Sequence, residues 1–282
     1  MFKKLLKYDF KWIFSIWWIG AVSILVLSVP AGFALRNLVT ANYTQYGEIF
    51  NGLWIYLYYI LLCLFPALGS VLIFIRYYCN FFRDEGYLTF TLPVKRSTHL
   101  LSKVVSGSLI NLLSGITIFI AICIIGTITP MEKGSSMTLL GAFTEAVFEG
   151  IWECISKGDL WFILYFLLVM LISVAGSVLS TILTYLFITI GATVVKKHKV
   201  LATIGIMYAS SFVASLAFIP ILILVVIWFG AATSIANFGS SILLANCFAC
   251  LLLLFALAAL ICAITLIYSI ITGTLERKLN LQ

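Results

Sequence analysis

The side chains best suited to chemistry lie in one charged segment, Arg76 to Lys103, of a chain that is otherwise almost uncharged. This segment holds five of the seventeen lysines and arginines, and Asp84 and Glu85 stand side by side before Gly86. Adjacent carboxylates between cations are suited to meeting a partner protein, where interface charge mainly sets specificity and docking rate. A short helix is expected here, because the Asp84 carboxylate can cap a helix start and Pro93 cannot continue the helix. An ordinary charged connector is the alternative.

The sequence carries no motif for catalysis, cofactor binding or metal binding. It has no G-x-x-x-x-G-K-[ST] phosphate loop, no H-E-x-x-H and no G-x-S-x-G. His99 and His198 are flanked by cations and are predicted to be solvated loop residues. Cys247 and Cys250 form a CxxC without a second pair or a nearby histidine, which favours packing in a span over a metal or redox site. We therefore expect a chain that is not an enzyme and holds no cofactor or metal of its own.

Composition indicates an all-α integral membrane protein. Apolar residues make up 63% of the chain and charged residues 10%, whereas soluble domains carry roughly 25% charged residues. The net charge of +7 could suggest nucleic acid, but the cations are not clustered on a soluble face. Their distribution fits membrane topology better, so we expect membrane lipid and no nucleic acid around this chain.

Charge-free runs predict six transmembrane helices in a single domain over residues 1–282, since a helix needs about 20 apolar residues to cross the hydrocarbon core. The 76-residue run from Val200 to Leu275 is long enough for two spans, and it divides at the Gly-, Ser- and Asn-rich stretch 229–241. The predicted spans are about 12–34, 52–75, 104–129, 160–195, 200–228 and 242–275.

The cations predict the orientation of these spans. With an even number of spans both termini lie on one side, and that side then holds fourteen of the seventeen lysines and arginines. Cytoplasmic loops are enriched in these residues, so the fourteen-cation side is expected to be inside. The chain is thus predicted to be a multi-pass protein of the cell membrane with both termini in the cytoplasm.

Two amphipathic segments lie beside the spans. At the N-terminus, Lys3, Lys7 and Lys11 recur every four residues, which favours a short interfacial helix over a simple basic flank. Outside, Met137 to Ser156 reads as a short amphipathic helix. The acidic face of this segment consists of Glu145, Glu149 and Glu153. We favour the interpretation that it is the water-facing side of an interfacial helix, and the alternative is a cation site.

The spans lack ionisable residues, which disfavours a proton- or sodium-coupled carrier, because such residues mark ion paths in membranes. Milder polar side chains follow one face of the fourth span and a four-residue spacing in the third. Such residues favour close helix packing, and the alternatives are a substrate path or the seam of a dimer. The set comprises Asn111, Ser173, Ser177, Ser180 and Thr184.

The run from Arg83 to Pro93, followed by Ser102-Lys103, resembles the cytoplasmic loop of ABC-transporter permeases of the type-2 exporter superfamily. The closer likeness is to the six-span permeases common in Gram-positive bacteria, in which an acidic-Gly segment, a Leu-Pro and a later Ser-Lys recur between the second and third spans. The N-terminal segment Leu5–Lys11 is also similar to the start of such permeases. The motifs cover a small part of the chain, whereas six spans with both ends inside agree over its whole length.

The resemblance implies that two permease chains, identical or different, pair with two cytoplasmic ABC ATPases that bind ATP and Mg. The helix after the second span would be the coupling helix that docks into the ATPase, and a second cytoplasmic turn would lie close by. The outer turn between the last two spans of such permeases often dips back into the membrane, and residues 229–241 are uncharged and Gly-rich enough either to do so or to form an ordinary turn. The coupling-helix residues are Asp84, Glu85, Gly86, Tyr87 and Leu88, and the second contact is Lys196, Lys197, His198 and Lys199.

The function expected from these features is that of the membrane permease subunit of an ATP-driven exporter. Its spans are poor in charge and rich in aromatics, which suits an amphipathic or hydrophobic cargo such as a peptide, a lipid-like molecule or a drug. Interfacial aromatic belts explain the same residues equally well. The alternative function is a sensory or scaffold membrane protein that recruits a different cytoplasmic partner through residues 76–103.

Overall fold

The structure, a computed structural model, describes residues 2–41, 44–82, 96–132, 135–156, 161–194, 204–206, 208 and 242–278. Helices account for nearly all of these residues, and no β-strand occurs among them. The helices are α1 (Phe2–Thr40), α2 (Gln45–Phe82), α3 (Arg96–Ile128), α4 (Leu139–Ser156), α5 (Trp161–Val194) and α6 (Ile242–Lys278).

Five of these helices are long and apolar enough to cross a membrane, and the chain is a multi-pass membrane protein. Their mean hydropathy lies between 2.1 and 3.0. The predicted all-helical membrane class is thus confirmed, while the predicted span 200–228 lies outside the described residues except for 204–206 and 208. The five apolar helical stretches are Phe2–Thr40, Tyr46–Phe82, Ser97–Ile128, Ile163–Thr193 and Cys250–Thr274.

Helices α1, α2, α3 and α6 are longer than the charge-free runs that predicted them. The 39 residues of α1 span about 58 Å at about 1.5 Å per residue, against about 40–45 Å for a bilayer with its headgroups. Residues 2–11 continue α1 without a break, so the separate N-terminal interfacial helix is not confirmed. The helix ends where Ala41 takes a left-handed φ of 52°.

The chain divides into two compact units, and the first comprises Met1–Arg76 and Ser102–Leu160. Its core is built around Trp17 of α1, whose ring lies 5.7 Å from that of Phe65 in α2. The Trp17 Nε1–H donates to Ser114 Oγ of α3 at 2.8 Å, and the Tyr58 hydroxyl donates to the Ile24 carbonyl at 3.3 Å. The buried Trp17 indole and Tyr58 phenol thus pair with partners on neighbouring helices, which offsets the loss of hydration in an apolar surrounding.

Close backbone approach joins α1, α3 and α4 within this unit. A Cβ added at Gly32 of α1 would lie 2.9 Å from Cδ1 of Ile128 in α3, and one at Gly126 would lie 3.3 Å from Leu140 Cβ in α4. The turn before α4 is closed by a hydrogen bond from the Leu139 N–H to the Thr129 carbonyl at 2.8 Å. Helix α4 covers most of the segment predicted to be amphipathic, and both Glu145 and Glu149 are exposed on it.

The second unit comprises Tyr77–Leu101 and Trp161–Gln282. Within its described part, α5 packs against α6. The last turns of α2 and the first turns of α3 also belong to this unit, since its boundaries fall after Arg76 and before Ser102. The largest fully buried side chains there include Tyr77, Tyr185 and Ile271.

Candidate functional site

We call residues 83–95 the 83–95 segment. The candidate site consists of the two helix ends that flank this segment. Helix α2 ends at Phe82, seven residues past the charge-free run that stops at Ile75, and α3 begins at Arg96, eight residues before Val104. These extensions are about 10–12 Å long at about 1.5 Å per residue. The predicted coupling-helix residues are in the segment between them and outside the described residues: Asp84, Glu85, Gly86, Tyr87 and Leu88.

At the base of these extensions, in the first unit, a buried carboxylate joins three helices. Asp9 Oδ1 of α1 accepts hydrogen bonds from Arg76 Nε of α2 at 3.1 Å and from Lys103 Nζ of α3 at 3.3 Å. The Ser102 hydroxyl donates to Asp9 Oδ2 at 3.4 Å. We call Asp9, Arg76, Ser102 and Lys103 the Asp9 ion cluster.

Burial makes the Asp9 ion cluster energetically important. Asp9 is 5% exposed and Lys103 is 3% exposed, and a buried ion without a counter-ion costs several kcal/mol. The Arg76 guanidinium also lies 5.3 Å from the centre of the Trp12 ring, a cation–π contact. The cluster therefore ties the start of α1 to α2 and α3 at the points where their charge-free runs end.

In the second unit, the last turns of α2 are held to α5 by Tyr77. Its side chain is fully buried and its hydroxyl lies 3.0 Å from Thr189 Oγ1. Thr189 Oγ1 already donates to the Tyr185 carbonyl at 2.7 Å, and a hydroxyl has one proton, so Tyr77 is the donor in this pair. The rings of Tyr77 and Tyr185 stack with centroids 4.1 Å apart.

The first turn of α3 is held to α6 in the same unit. The Tyr268 hydroxyl of α6 donates to the Ser97 carbonyl of α3 at 2.9 Å. His99 is 3% exposed in this turn, so the prediction that it is a solvated loop residue is wrong. The reason is that α3 begins at Arg96, three residues before His99, and the helix rather than a loop carries this side chain.

Taken unit by unit, both helix ends beside the 83–95 segment are fixed by specific polar contacts. In the first unit the Asp9 ion cluster lies at the base of the two extensions, and in the second unit the Tyr77 and Tyr268 hydroxyls hold the extensions themselves. Each contact restricts the movement of α2 or α3 against the helix that it joins within the same unit. The contacts described above include no nucleophile–base pair.

The other predicted site residues are placed as follows. The second cytoplasmic contact, Lys196, Lys197, His198 and Lys199, lies outside the described residues. On α5, Ser173 and Ser180 are exposed and Ser177 and Thr184 are half-buried, and each of the four hydroxyls donates to a carbonyl of its own helix. Asn111 on α3 is half-buried. The three serines and Thr184 thus satisfy part of their hydrogen-bonding capacity within α5.

Asp9 is the functional candidate that sequence reasoning missed. It is the single acidic residue among the lysines of the N-terminal segment, and that contrast is the signal that could have identified it. Its partners lie 67 and 94 residues further along the chain. Leu5–Lys11 and Ser102-Lys103 are two separate motifs of the permease resemblance. The structure brings residues of both motifs together in the Asp9 ion cluster.

Among the described residues, no group of three His, Cys, Asp or Glu side chains is arranged to hold a metal ion. Comparison of the chain with protein-family models, with curated proteins and with solved structures found no match.

Proposed function

We propose that this chain is the membrane permease subunit of an ATP-driven exporter of the type-2 ABC superfamily. The 83–95 segment docks, through Asp84 to Leu88, into a separate cytoplasmic ABC ATPase, which binds ATP and Mg. A second permease chain, identical or different, completes the transporter in the cell membrane, with both termini of each chain in the cytoplasm. The cargo is amphipathic or hydrophobic, and peptides belong to this class.

The observation that carries the proposal is the anchoring of both helix ends beside the 83–95 segment. A coupling element must transmit force from the ATPase to the spans without bending at its base. Arg76 and Lys103 share the Asp9 carboxylate at 3.1 and 3.3 Å, while Tyr77 is fully buried against Tyr185 and Thr189. Within the first unit these contacts support coupling of the segment to α1, and within the second unit to α5, whereas a flexible recruiting loop would need none of them.

The distribution of ionisable residues also supports a separate energy source. The sequence contains no phosphate-binding loop of the G-x-x-x-x-G-K-[ST] type. The charge-free runs hold no acid or base that could relay protons. The buried ion pairs that the structure describes, Arg76–Asp9 and Lys103–Asp9, lie at the ends of these runs and not within them.

The aromatic side chains support an apolar cargo less directly. Trp17 and Tyr58 are buried and make interhelical hydrogen bonds, so packing accounts for them. Trp18, Tyr56 and Tyr59 are 52%, 65% and 63% exposed, and they are therefore available to lipid, to a second permease chain or to cargo. We assign the cargo class from these exposed aromatics and from the lack of charge in the spans.

Recovery of the ATPase from membranes tests the proposal. A tagged wild-type chain is expected to co-purify with an ATPase that carries a phosphate-binding loop, and Glu85→Arg is expected to lower that recovery, because it reverses a charge in the docking segment. The matched control is Glu149→Arg, which makes the same change at an exposed position of α4 and is expected to leave recovery unchanged.

Two outcomes count against the proposal. If the wild-type chain recovers no such ATPase, the exporter mechanism is wrong, and recovery of an unrelated cytoplasmic protein instead favours the scaffold function. If Glu85→Arg and Glu149→Arg recover the ATPase equally well, the assigned contact is wrong.

A further inference from the structure

We propose that Arg76 and Trp12 form a binding site for a phosphate group at the boundary between membrane and water. The site uses the part of the Arg76 guanidinium that Asp9 does not engage, and it is independent of ATPase docking. Phosphate of a lipid headgroup and inorganic phosphate present the same oxygens to it, and the experiment below separates these two sources.

The first argument is the unused hydrogen-bonding capacity of Arg76. The guanidinium carries five N–H donors in a planar fork. Only Nε–H is engaged by Asp9, and the Nη groups make no hydrogen bond to any described residue. The Arg76 side chain is 22% exposed, so these donors can be reached from outside. Two parallel N–H groups of a guanidinium match a pair of phosphate oxygens.

The second argument is charge. The Arg76 guanidinium shares the Asp9 carboxylate with Lys103, whose Nζ lies 3.3 Å from the same Oδ1 atom. Asp9 therefore compensates the charge of Arg76 only in part, in a place where Asp9 and Lys103 are nearly inaccessible to water. A bound anion beside Arg76 would be attracted by this charge, and poor hydration strengthens such an interaction.

The third argument is position along the membrane normal. Trp12, Arg76 and Lys103 stand at the ends of three charge-free runs, 12–34, 52–75 and 104–129. Each run belongs to a helix apolar enough to cross a membrane, so the cluster lies where hydrocarbon gives way to headgroups. Tryptophan is enriched at this level because its ring is amphipathic, and lipid phosphates lie at the same level.

Trp12 gives the site its shape. Its ring is half-buried, and the Arg76 guanidinium carbon lies 5.3 Å from the ring centre. Contact with the ring and the bond from Nε to Asp9 hold the guanidinium plane at two points, so that little freedom is lost when a phosphate binds. A lysine in this place would keep the charge beside Asp9 but would lose the planar fork.

Native mass spectrometry of the full chain in detergent tests the site, with phosphatidylglycerol, diacylglycerol or inorganic phosphate added as separate probes. The wild-type chain is expected to retain phosphatidylglycerol in preference to diacylglycerol, which lacks the phosphate. Arg76→Lys is expected to reduce the phosphatidylglycerol-bound fraction about fivefold or more, because the bidentate contact is lost. Its melting temperature is measured alongside, so that loss of binding is separated from loss of folding.

The matched control is Arg36→Lys, since Arg36 is an exposed arginine of α1 without a carboxylate partner among the described residues. This variant is expected to bind phosphatidylglycerol as the wild type does. Inorganic phosphate bound in an Arg76-dependent manner at millimolar concentration would assign the site to free phosphate, and Arg76-dependent binding of phosphatidylglycerol alone would assign it to lipid.

Three results would overturn the proposal. They are equal retention of diacylglycerol and phosphatidylglycerol, unchanged binding in a folded Arg76→Lys protein, and an equal loss of binding in Arg36→Lys. The last result would show that any arginine near a helix end attracts phosphate, without a built site.

Discussion

Neutralising Asp9 is expected to destabilise the first unit strongly. Two cations share its Oδ1 atom, at 3.1 Å from Arg76 Nε and 3.3 Å from Lys103 Nζ. With an effective dielectric constant of about 20, each contact represents about 5 kcal/mol of direct attraction. Asp9→Asn preserves the shape of the side chain and removes both attractions.

Not all of this attraction is lost as stability. The Arg76 side chain is 22% exposed and regains hydration when its partner is neutral, and the asparagine oxygen still accepts a hydrogen bond. Lys103, whose side chain is 3% exposed, stays buried without the Asp9 carboxylate. Removing one partner from a buried pair costs about 3–5 kcal/mol, and we expect the free energy of unfolding to fall by this amount.

The assay is unfolding of purified protein in mixed micelles at increasing mole fractions of denaturing detergent, followed by tryptophan fluorescence. Glu48→Gln is the control, because Glu48 is an exposed acid on α2 and its neutralisation should change stability by about 0.5 kcal/mol at most. The double variant Asp9→Asn with Lys103→Met should be more stable than the sum of the single effects predicts, by about 1–3 kcal/mol. Wild-type stability in Asp9→Asn, or strict additivity in the double variant, would refute the reasoning.

Two further predictions use the same unfolding assay. Tyr77→Phe should lower the free energy of unfolding by about 0.5–1.5 kcal/mol. Thr189→Val should lower it more, by about 1–3 kcal/mol, because it leaves the buried Tyr77 hydroxyl without its acceptor. The reverse order of the two losses would show that the donor assignment is wrong. Gly32→Ala should cost about 1–3 kcal/mol, because its Cβ would lie 2.9 Å from Ile128 Cδ1 and 3.1 Å from Ile128 Cβ. Gly176→Ala, with nothing within 4 Å of its Cβ, should be neutral or stabilising by up to about 1 kcal/mol, and equal losses at the two glycines would contradict this account of packing.

The existence of the apolar helices could be predicted from sequence, because the absence of charge over about 20 residues leaves a chain few alternatives to a span. The helix ends could not be predicted in the same way. The charge-free runs predict that Arg76 and Lys103 stand at the edges of spans, yet α2 continues to Phe82 and α3 starts at Arg96. The two cations are carried within helices because a buried carboxylate on a third helix is their partner.

The candidate site was predictable only as a segment of unusual composition. The acidic pair Asp84 and Glu85 marks residues 83–95 as a candidate contact segment. The neighbouring sequence does not indicate which residues hold the flanking helices. The contacts that hold them, Asp9 to Lys103 and Tyr77 to Thr189, join residues 94 and 112 positions apart. Such pairs depend on which helices become neighbours, and the periodicity of a single sequence does not report that.

Hydroxyl residues illustrate the same limit within one helix. The predicted polar face of α5 includes Ser173 and Ser177, which donate to carbonyls of their own helix at 2.8 and 2.7 Å. Thr189, one of the buried hydroxyls of this helix, lies outside the predicted set and holds the Tyr77 hydroxyl. Residue type alone does not distinguish a hydroxyl that bonds only within its own helix from one that also contacts another helix. In both cases the hydroxyl donates to a carbonyl of its own helix.

The central claim is that the 83–95 segment docks into an ABC ATPase, and site-specific photocrosslinking in intact membranes tests it most directly. A photoreactive amino acid is placed at Tyr87 in the segment or, as a control, at Tyr46, which is 87% exposed at the start of α2. We predict a covalent adduct between position 87 and a protein that carries a phosphate-binding loop, and none from position 46. An adduct at position 87 with a protein that lacks such a loop, or equal adducts from both positions, would contradict the account.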